Sequence, residues 1–118
     1  MRKWVLAAAM VAAMPVAASA ADAEAGKTVF NKCKACHQIG KNAVGPDLKG
    51  VMGRKAGSVE GYNYSEAMKN SGLTWDEATM KEYLADPKKK VPGNKMVFMG
   101  IKDPADEDNL IEFLKAAQ

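Results

Sequence analysis

Apolar residues recur at helical spacing in several short stretches of the chain, and no stretch reads persuasively as a strand. Ala25, Val29 and Cys33 stand four residues apart behind Asp22, a suitable N-cap, so the spacing predicts a helix from Ala23 to Lys32. Ser65 to Ser71 fits a short helix stopped by Gly72. Thr74-Trp75-Asp76-Glu77 fits a capping box that opens a longer helix, with Met80, Tyr83 and Leu84 on its apolar face and Pro87 as its limit. The last helix starts at Pro104, whose ring suits a first turn. Asp106, Glu107 and Asp108 favour its positive end, and Leu110, Phe113, Leu114 and Ala117 form one face. Between these elements, Gly40 to Gly57 contains six glycines or prolines and reads as loop. A loop that long in a small domain is functional or wrapped on a ligand. Lys88 to Ile101 is rich in Lys, Gly and Met, with Pro92-Gly93 as a turn signal. The predicted class is all-α and loop-rich.

The first twenty residues change the picture of size and charge. Arg2 and Lys3, the apolar run Trp4 to Val16 and the small residues Ala18-Ser19-Ala20 read as a secretory signal, with the mature chain expected to begin at Ala21 and to form one domain over 21–118. An uncleaved anchor is the other reading; the apolar run is short for it, is broken by Pro15 and lacks a stop-transfer pattern. Without Arg2 and Lys3 the basic residues fall from 17 to 15 against 14 acidic ones, a net charge of +1 rather than +3. The mature chain is not strongly basic, but its charge is unevenly placed. Lys88, Lys89, Lys90 and Lys95 crowd one segment, while Asp103, Asp106, Glu107 and Asp108 crowd another.

Candidate chemistry is concentrated in Cys33-Lys34-Ala35-Cys36-His37, which holds both cysteines and the only histidine of the chain. Two thiols separated by two residues and followed by an imidazole form the attachment site of a c-type haem, each thiol adding to one vinyl group of the porphyrin and the histidine reaching iron. Export favours this reading or a disulfide, because the compartment is oxidising. A closed zinc site needs four ligands where the chain offers three Cys or His residues, and a thioredoxin-like dithiol is expected near a βαβ pattern that is missing here.

The order Gly26-x-x-x-Phe30, Cys33-x-x-Cys36-His37, Gly45-Pro46, Gly53-Arg54, Tyr64, Trp75, Tyr83-Leu84, Pro87-Lys88-Lys89 and Pro92-Gly93-Asn94-Lys95-Met96 resembles class I cytochromes c, most closely the mitochondrial cytochrome c and bacterial cytochrome c2 branch. The resemblance spans residues 24 to 115. It implies a small cytochrome c fold, with the first and last helices packed across each other and one covalent haem c in a loop-wrapped crevice. On that template Gly26 and Phe30 pack against Leu110 and Phe113. Pro46 accepts a hydrogen bond from His37, and Arg54, Tyr64 and Trp75 bind a haem propionate.

His37 and Met96 are the axial iron ligands on the same template. Elimination leaves Met52, Met68, Met80, Met96 and Met99 as candidate thioethers in the mature chain. A loop after Pro92-Gly93 can fold over the distal face, and the family motif puts the ligand at Met96; Met99 is its rival, with a lysine or an open position as further alternatives. Met68 and Asn94 depart from the asparagine and threonine that mitochondrial relatives place around a buried water near Tyr83.

The implied function is that of a one-electron carrier in the periplasm rather than an enzyme. Its expected partners are membrane redox complexes such as cytochrome bc1 and a terminal oxidase or reaction centre, docked through Lys32, Lys34, Lys88, Lys89, Lys95 and Lys102. A monomer is expected, with neither nucleic-acid binding nor a stable membrane anchor. A haem peroxidase or oxygen-binding protein would need a vacant or labile distal position and polar distal groups.

Overall fold

The computed structural model describes residues 21–118; the predicted signal segment lies outside the described residues. Among the described residues five helices follow in order: α1 Ala23–Phe30, α2 Glu66–Lys69, α3 Glu77–Ala85, α4 Pro87–Lys90 and α5 Pro104–Ala116. The main tertiary packing between them is α1 against α5. Asp22 caps α1 by accepting the Glu24 N–H at 2.9 Å, and its own N–H donates to Asn109 Oδ1 at 2.8 Å, which ties the start of α1 to α5. At the crossing the two backbones come so close that a Cβ on Gly26 would lie 1.9 Å from the Asn109 carbonyl oxygen and 2.8 Å from Phe113 Cβ. A glycine is therefore required there despite its low helix propensity. Phe30 stacks at a tilt on Phe113, with ring centroids 4.9 Å apart.

The first helix is shorter than its apolar spacing predicts. Regular helix ends at Phe30, and the chain continues as turns in which Cys33 N–H donates to Phe30 O at 2.8 Å and His37 N–H to Cys33 O at 2.8 Å. These turns carry the thiols and the imidazole away from the α1 axis.

Two further boundaries differ from the sequence reading. Thr74 does not cap α3; Asp76 does, accepting the Thr79 N–H at 2.8 Å. Thr74 pairs with Lys55 in an isolated antiparallel bridge, and Trp75 exchanges main-chain bonds with Gly53 and Arg54, so the chain stays extended until residue 76. Long-range pairing thus overrode a local capping signal. Pro87 ends α3, as expected, but it also opens α4, a short helix that the sequence pattern did not predict. Its missing N–H and fixed φ, which break a helix interior, suit a first turn. Asp86 serves both helices, ending α3 and accepting the Lys89 N–H at 3.2 Å at the start of α4.

Beneath α1, α3 and α5 the buried core includes Val29, Val51, Met80, Leu84, Ile111 and Leu114. Leu110 and Ile111 are almost wholly enclosed. Among the described residues no helix is long and apolar enough to cross a membrane.

Candidate functional site

A cavity of about 520 Å³ opens between the 33–37 turns, the loops and the inner faces of α3 and α5. Its walls are mainly apolar, with Phe30, Leu48, Val51, Met80, Leu84 and Leu110 among them, and its volume is ample for a cofactor. Cys33, Cys36 and His37 line one side and Met96 and Tyr83 also face it. No disulfide joins the two cysteines, and burial pushes the Cys33 thiol above its ordinary pKa, with Lys32 opposing and Cys36 reinforcing the shift. Among the described residues no three His, Cys, Asp or Glu side chains converge as a metal-ion site, so the thiols and the imidazole are spread along a wall rather than gathered around a point.

His37 is fixed from two directions. Its Nδ1 lies 2.9 Å from the Pro46 carbonyl oxygen, which can only accept, so Nδ1 carries the proton and Nε2 keeps its lone pair. Burial lowers the His37 pKa, while the Pro46 hydrogen bond opposes that shift. The ring also rests against Gly45, where a Cβ would stand 2.3 Å from Cε1 and 2.7 Å from both ring nitrogens. A side chain at 45 would expel the imidazole. Gly45 and Pro46 therefore set position and tautomer together, the usual way in which a metal-binding histidine is made basic and directional.

The strap that follows α4 decides which methionine faces the cavity. From Asn94 to Gly100 the chain has no regular secondary structure, and burial alternates: Asn94, Met96 and Phe98 are partly buried, whereas Lys95, Val97 and Met99 are exposed. Met99 is 83% exposed and Met96 lines the cavity, with the Tyr83 hydroxyl 3.8 Å from its sulfur. Burial, and secondarily Tyr62, holds the Tyr83 phenol well above its ordinary pKa, so it remains a donor at neutral pH. Met68 also faces the cavity, whereas Met52 is not on its wall.

The three residues expected around a propionate are divided. Tyr64 and Trp75 line the cavity. Tyr64 accepts the Val59 N–H at 3.1 Å through its hydroxyl oxygen, whose own proton remains available. Arg54 is off the cavity wall and spends its terminal nitrogens on the carbonyls of Lys49 at 3.1 Å and Asp47 at 2.9 Å. Its buried Nε has no partner among the described residues, a costly orphan that an acceptor from a bound group would satisfy.

Two lysines reach the exposed rim of the cavity. Lys32 and Lys95 belong both to the cavity lining and to the exposed surface, together with Val44 and Val97. Lys95 donates to the Asn63 carbonyl at 2.8 Å and Lys102 to that of Ala85 at 2.7 Å. Lys81, by contrast, pairs with Asp108 of α5 at 2.8 Å, and Lys115 with Glu77 and Glu112. Sequence reasoning did not anticipate the hydrogen bonds of Asn94 or the packing of Gly45 on His37; the available signal for the first was an Asx-type residue two positions before the candidate thioether.

The donor set suits a porphyrin: two spaced thiols, one oriented imidazole, one thioether and an apolar slot. The cytochrome c family profile matches residues 23–118. Cytochrome c2 of Rhodoblastus acidophilus is 60% identical over 98 residues, covering 80% of this chain and 92% of the relative, and cytochrome c-550 of Nitrobacter winogradskyi is 64% identical over 92 residues, covering 75% and 84%. The solved structure of cytochrome cH from Methylobacterium extorquens superposes with a TM-score of 0.79 at 60% identity, covering 80% of this chain and 98% of that one. With motif, fold and cavity in agreement, this chain belongs to the cytochrome c family, as a carrier of single electrons on one covalently bound haem c.

Proposed function

We propose that Cys33 and Cys36 form the two thioether bonds to haem, that His37 and Met96 are the axial iron ligands, and that Arg54, Tyr64 and Trp75 surround a propionate. The observation that carries this reading is the presence of both thiols, the His37 imidazole and the Met96 sulfur on the walls of one apolar cavity. Haem supplies the one-electron redox couple, and a thioether opposite an imidazole raises its potential. The protein's part is to hold. Pro46 and Gly45 orient His37, Tyr83 donates toward Met96, and the apolar walls keep water from the redox centre. With both axial positions filled from the chain, no position is left for substrate, which suits shuttling rather than turnover.

The reading extends to place and partners. Residues 1–20 act as a secretory signal cleaved after Ala20, delivering the chain to the periplasm. There it carries electrons between membrane complexes of the cytochrome bc1 type and an oxidase or reaction centre. The exposed mouth of the cavity, flanked by Lys32 and Lys95, is the docking face, with Lys34, Lys88, Lys89 and Lys102 extending it. The acidic start of α5 forms a separate region around Asp108.

Mass spectrometry of the exported protein tests attachment and cleavage together. The expected mass is that of the chain from Ala21 plus one haem, unchanged by acidified organic solvent. Cys33→Ser and Cys36→Ser should each leave at most one thioether, and the double variant should release its haem to that solvent. A mature chain without added haem mass would refute the assignment.

A further inference from the structure

The main chain of the strap that brings Met96 to the cavity is almost unanchored, although Lys95 Nζ donates to the Asn63 carbonyl and the Tyr83 hydroxyl toward the Met96 sulfur. Among the described residues, from Lys95 to Gly100 a single main-chain group takes part in a hydrogen bond, the Met96 N–H, and its acceptor is Asn94 Oδ1 at 2.8 Å. The next main-chain anchor is Ile101, whose N–H donates to Leu84 O at 2.7 Å. The other end of the Asn94 amide reaches back to α4, where Nδ2 donates to the carbonyls of Pro87 at 2.9 Å and Val91 at 2.8 Å. Two carbonyl acceptors on one side and an N–H donor on the other fix the orientation of the amide, since a flip would set oxygen against oxygen. All of its bonds serve one connection, from the ends of α4 to the backbone of Met96.

We propose that Asn94 is the positioning residue for Met96: its amide latches the strap to α4 and sets how readily the thioether leaves the cavity. The proposal rests on the reading of Met96 as an iron ligand. The physical reason is the economy of the strap. Val97 is 97% exposed and Met99 83%, so little buried surface resists lifting there, and Met96 and Phe98 are themselves only partly buried. Where packing is sparse and main-chain bonds are few, local opening is governed by the few bonds that remain. Asn94 supplies three of these from one side chain.

The experiment follows capture of imidazole by the ferric holoprotein, since a competing ligand binds when the thioether departs. At saturating imidazole the observed rate reports opening of the strap. Asn94→Ala should raise it roughly tenfold or more, as expected for losing more than one net hydrogen bond. Asn94→Asp keeps the acceptor for Met96 but turns the two donor bonds into oxygen-oxygen contacts, and should also open faster. Asn94→Thr, with one hydroxyl able to accept and donate, should recover part of the wild-type rate. Exchange of the Met96 amide hydrogen gives a second readout, faster in Asn94→Ala than in wild type. Gly26→Ala, which loosens the α1–α5 crossing instead, should not accelerate capture by a comparable factor.

Capture and amide exchange at wild-type rates in both Asn94→Ala and Asn94→Asp would overturn the latch. If Asn94→Ala does not accumulate as holoprotein, Asn94→Asp and Asn94→Thr decide the question on the same measurements. Failure of the underlying reading has a different signature: Met96→Ala would then retain the weak near-red charge-transfer band of methionine-ligated ferric haem.

Discussion

The Tyr83 hydroxyl donates toward the Met96 sulfur across 3.8 Å, joining α3 to the strap at the cavity wall. A donor on a thioether withdraws electron density from it. On a ferric iron, which needs that density more than ferrous iron does, the effect favours reduction. Tyr83→Phe should therefore lower the reduction potential while leaving the near-red band in place. Redox titration checks this; an unchanged potential would show that the contact is packing only.

Met96 and Met99 are three residues apart but fall on opposite sides of the alternation in burial along the strap. Met96→Ala should abolish the near-red band, open the iron to small ligands and lower the potential, because an imidazole-thioether pair holds it high. Met99→Ala should preserve all three properties, since its side chain is exposed. Ferric absorption spectra of the two variants are sufficient, and the reverse pattern would assign the ligand to Met99.

Gly26→Ala sets the helix propensity of α1 against its crossing with α5. Alanine gains about 1 kcal/mol in an isolated helix. Here its Cβ would meet the Asn109 carbonyl at 1.9 Å, which is backbone and has no rotamer by which to yield. Separating the helices should outweigh the propensity gain and destabilise by about 1–3 kcal/mol, within the usual range for overpacking. Guanidinium unfolding of the holoprotein measures it, and a stabilised variant would mean that α1 and α5 shift at little cost.

Glu107, in the first turn of α5, is buried with Oε2 unpartnered. Burial, helped by Asp108 and opposed by Lys81, raises its pKa above the ordinary glutamate value. Between the unfolded and folded pKa values the native state binds more protons than the unfolded chain. This group therefore makes stability fall as pH rises through that window. Glu107→Gln should match wild type most closely below the ordinary glutamate pKa and gain on it above the folded one. Thermal unfolding across that range tests the sign, and a difference independent of pH would remove the titration from the explanation.

Docking at the cavity mouth predicts unequal effects from equal charge changes. Lys95→Gln and Lys32→Gln should slow electron exchange with an acidic partner at low salt more than Lys115→Gln, whose lysine already pairs with Glu77 and Glu112. The differences should shrink as salt rises, because screening shortens to about 10 Å at 0.1 M. Stopped-flow rates against ionic strength provide the comparison; equal slowing by all three would reduce the effect to net charge.

What the sequence determined by itself is what depends on neighbouring residues. Cys33-Lys34-Ala35-Cys36-His37 carries its haem-attachment signal in spacing, and Asp22, Pro104 and the apolar face of α5 mark helices whose signals lie within a turn or two of the chain. Gly26 and Phe30 against Phe113 were legible once a family pattern supplied the partner helix. Tertiary structure decided everything that required knowing what lies opposite. Thr74 carries a sound local capping signal, yet its pairing with Lys55 moves the start of α3 to Asp76 and Glu77. The bonds of Arg54 to Asp47 and Lys49, the seating of His37 on Gly45, and the placement of Met96 on the cavity wall with Met99 exposed depend on how loops close around the cavity. Asn94 shows the division most sharply: its bond to Met96 is local, but its value comes from α4, a helix that the sequence pattern did not predict. Local geometry is written in spacing, whereas a latch exists only when two segments are brought within hydrogen-bond distance.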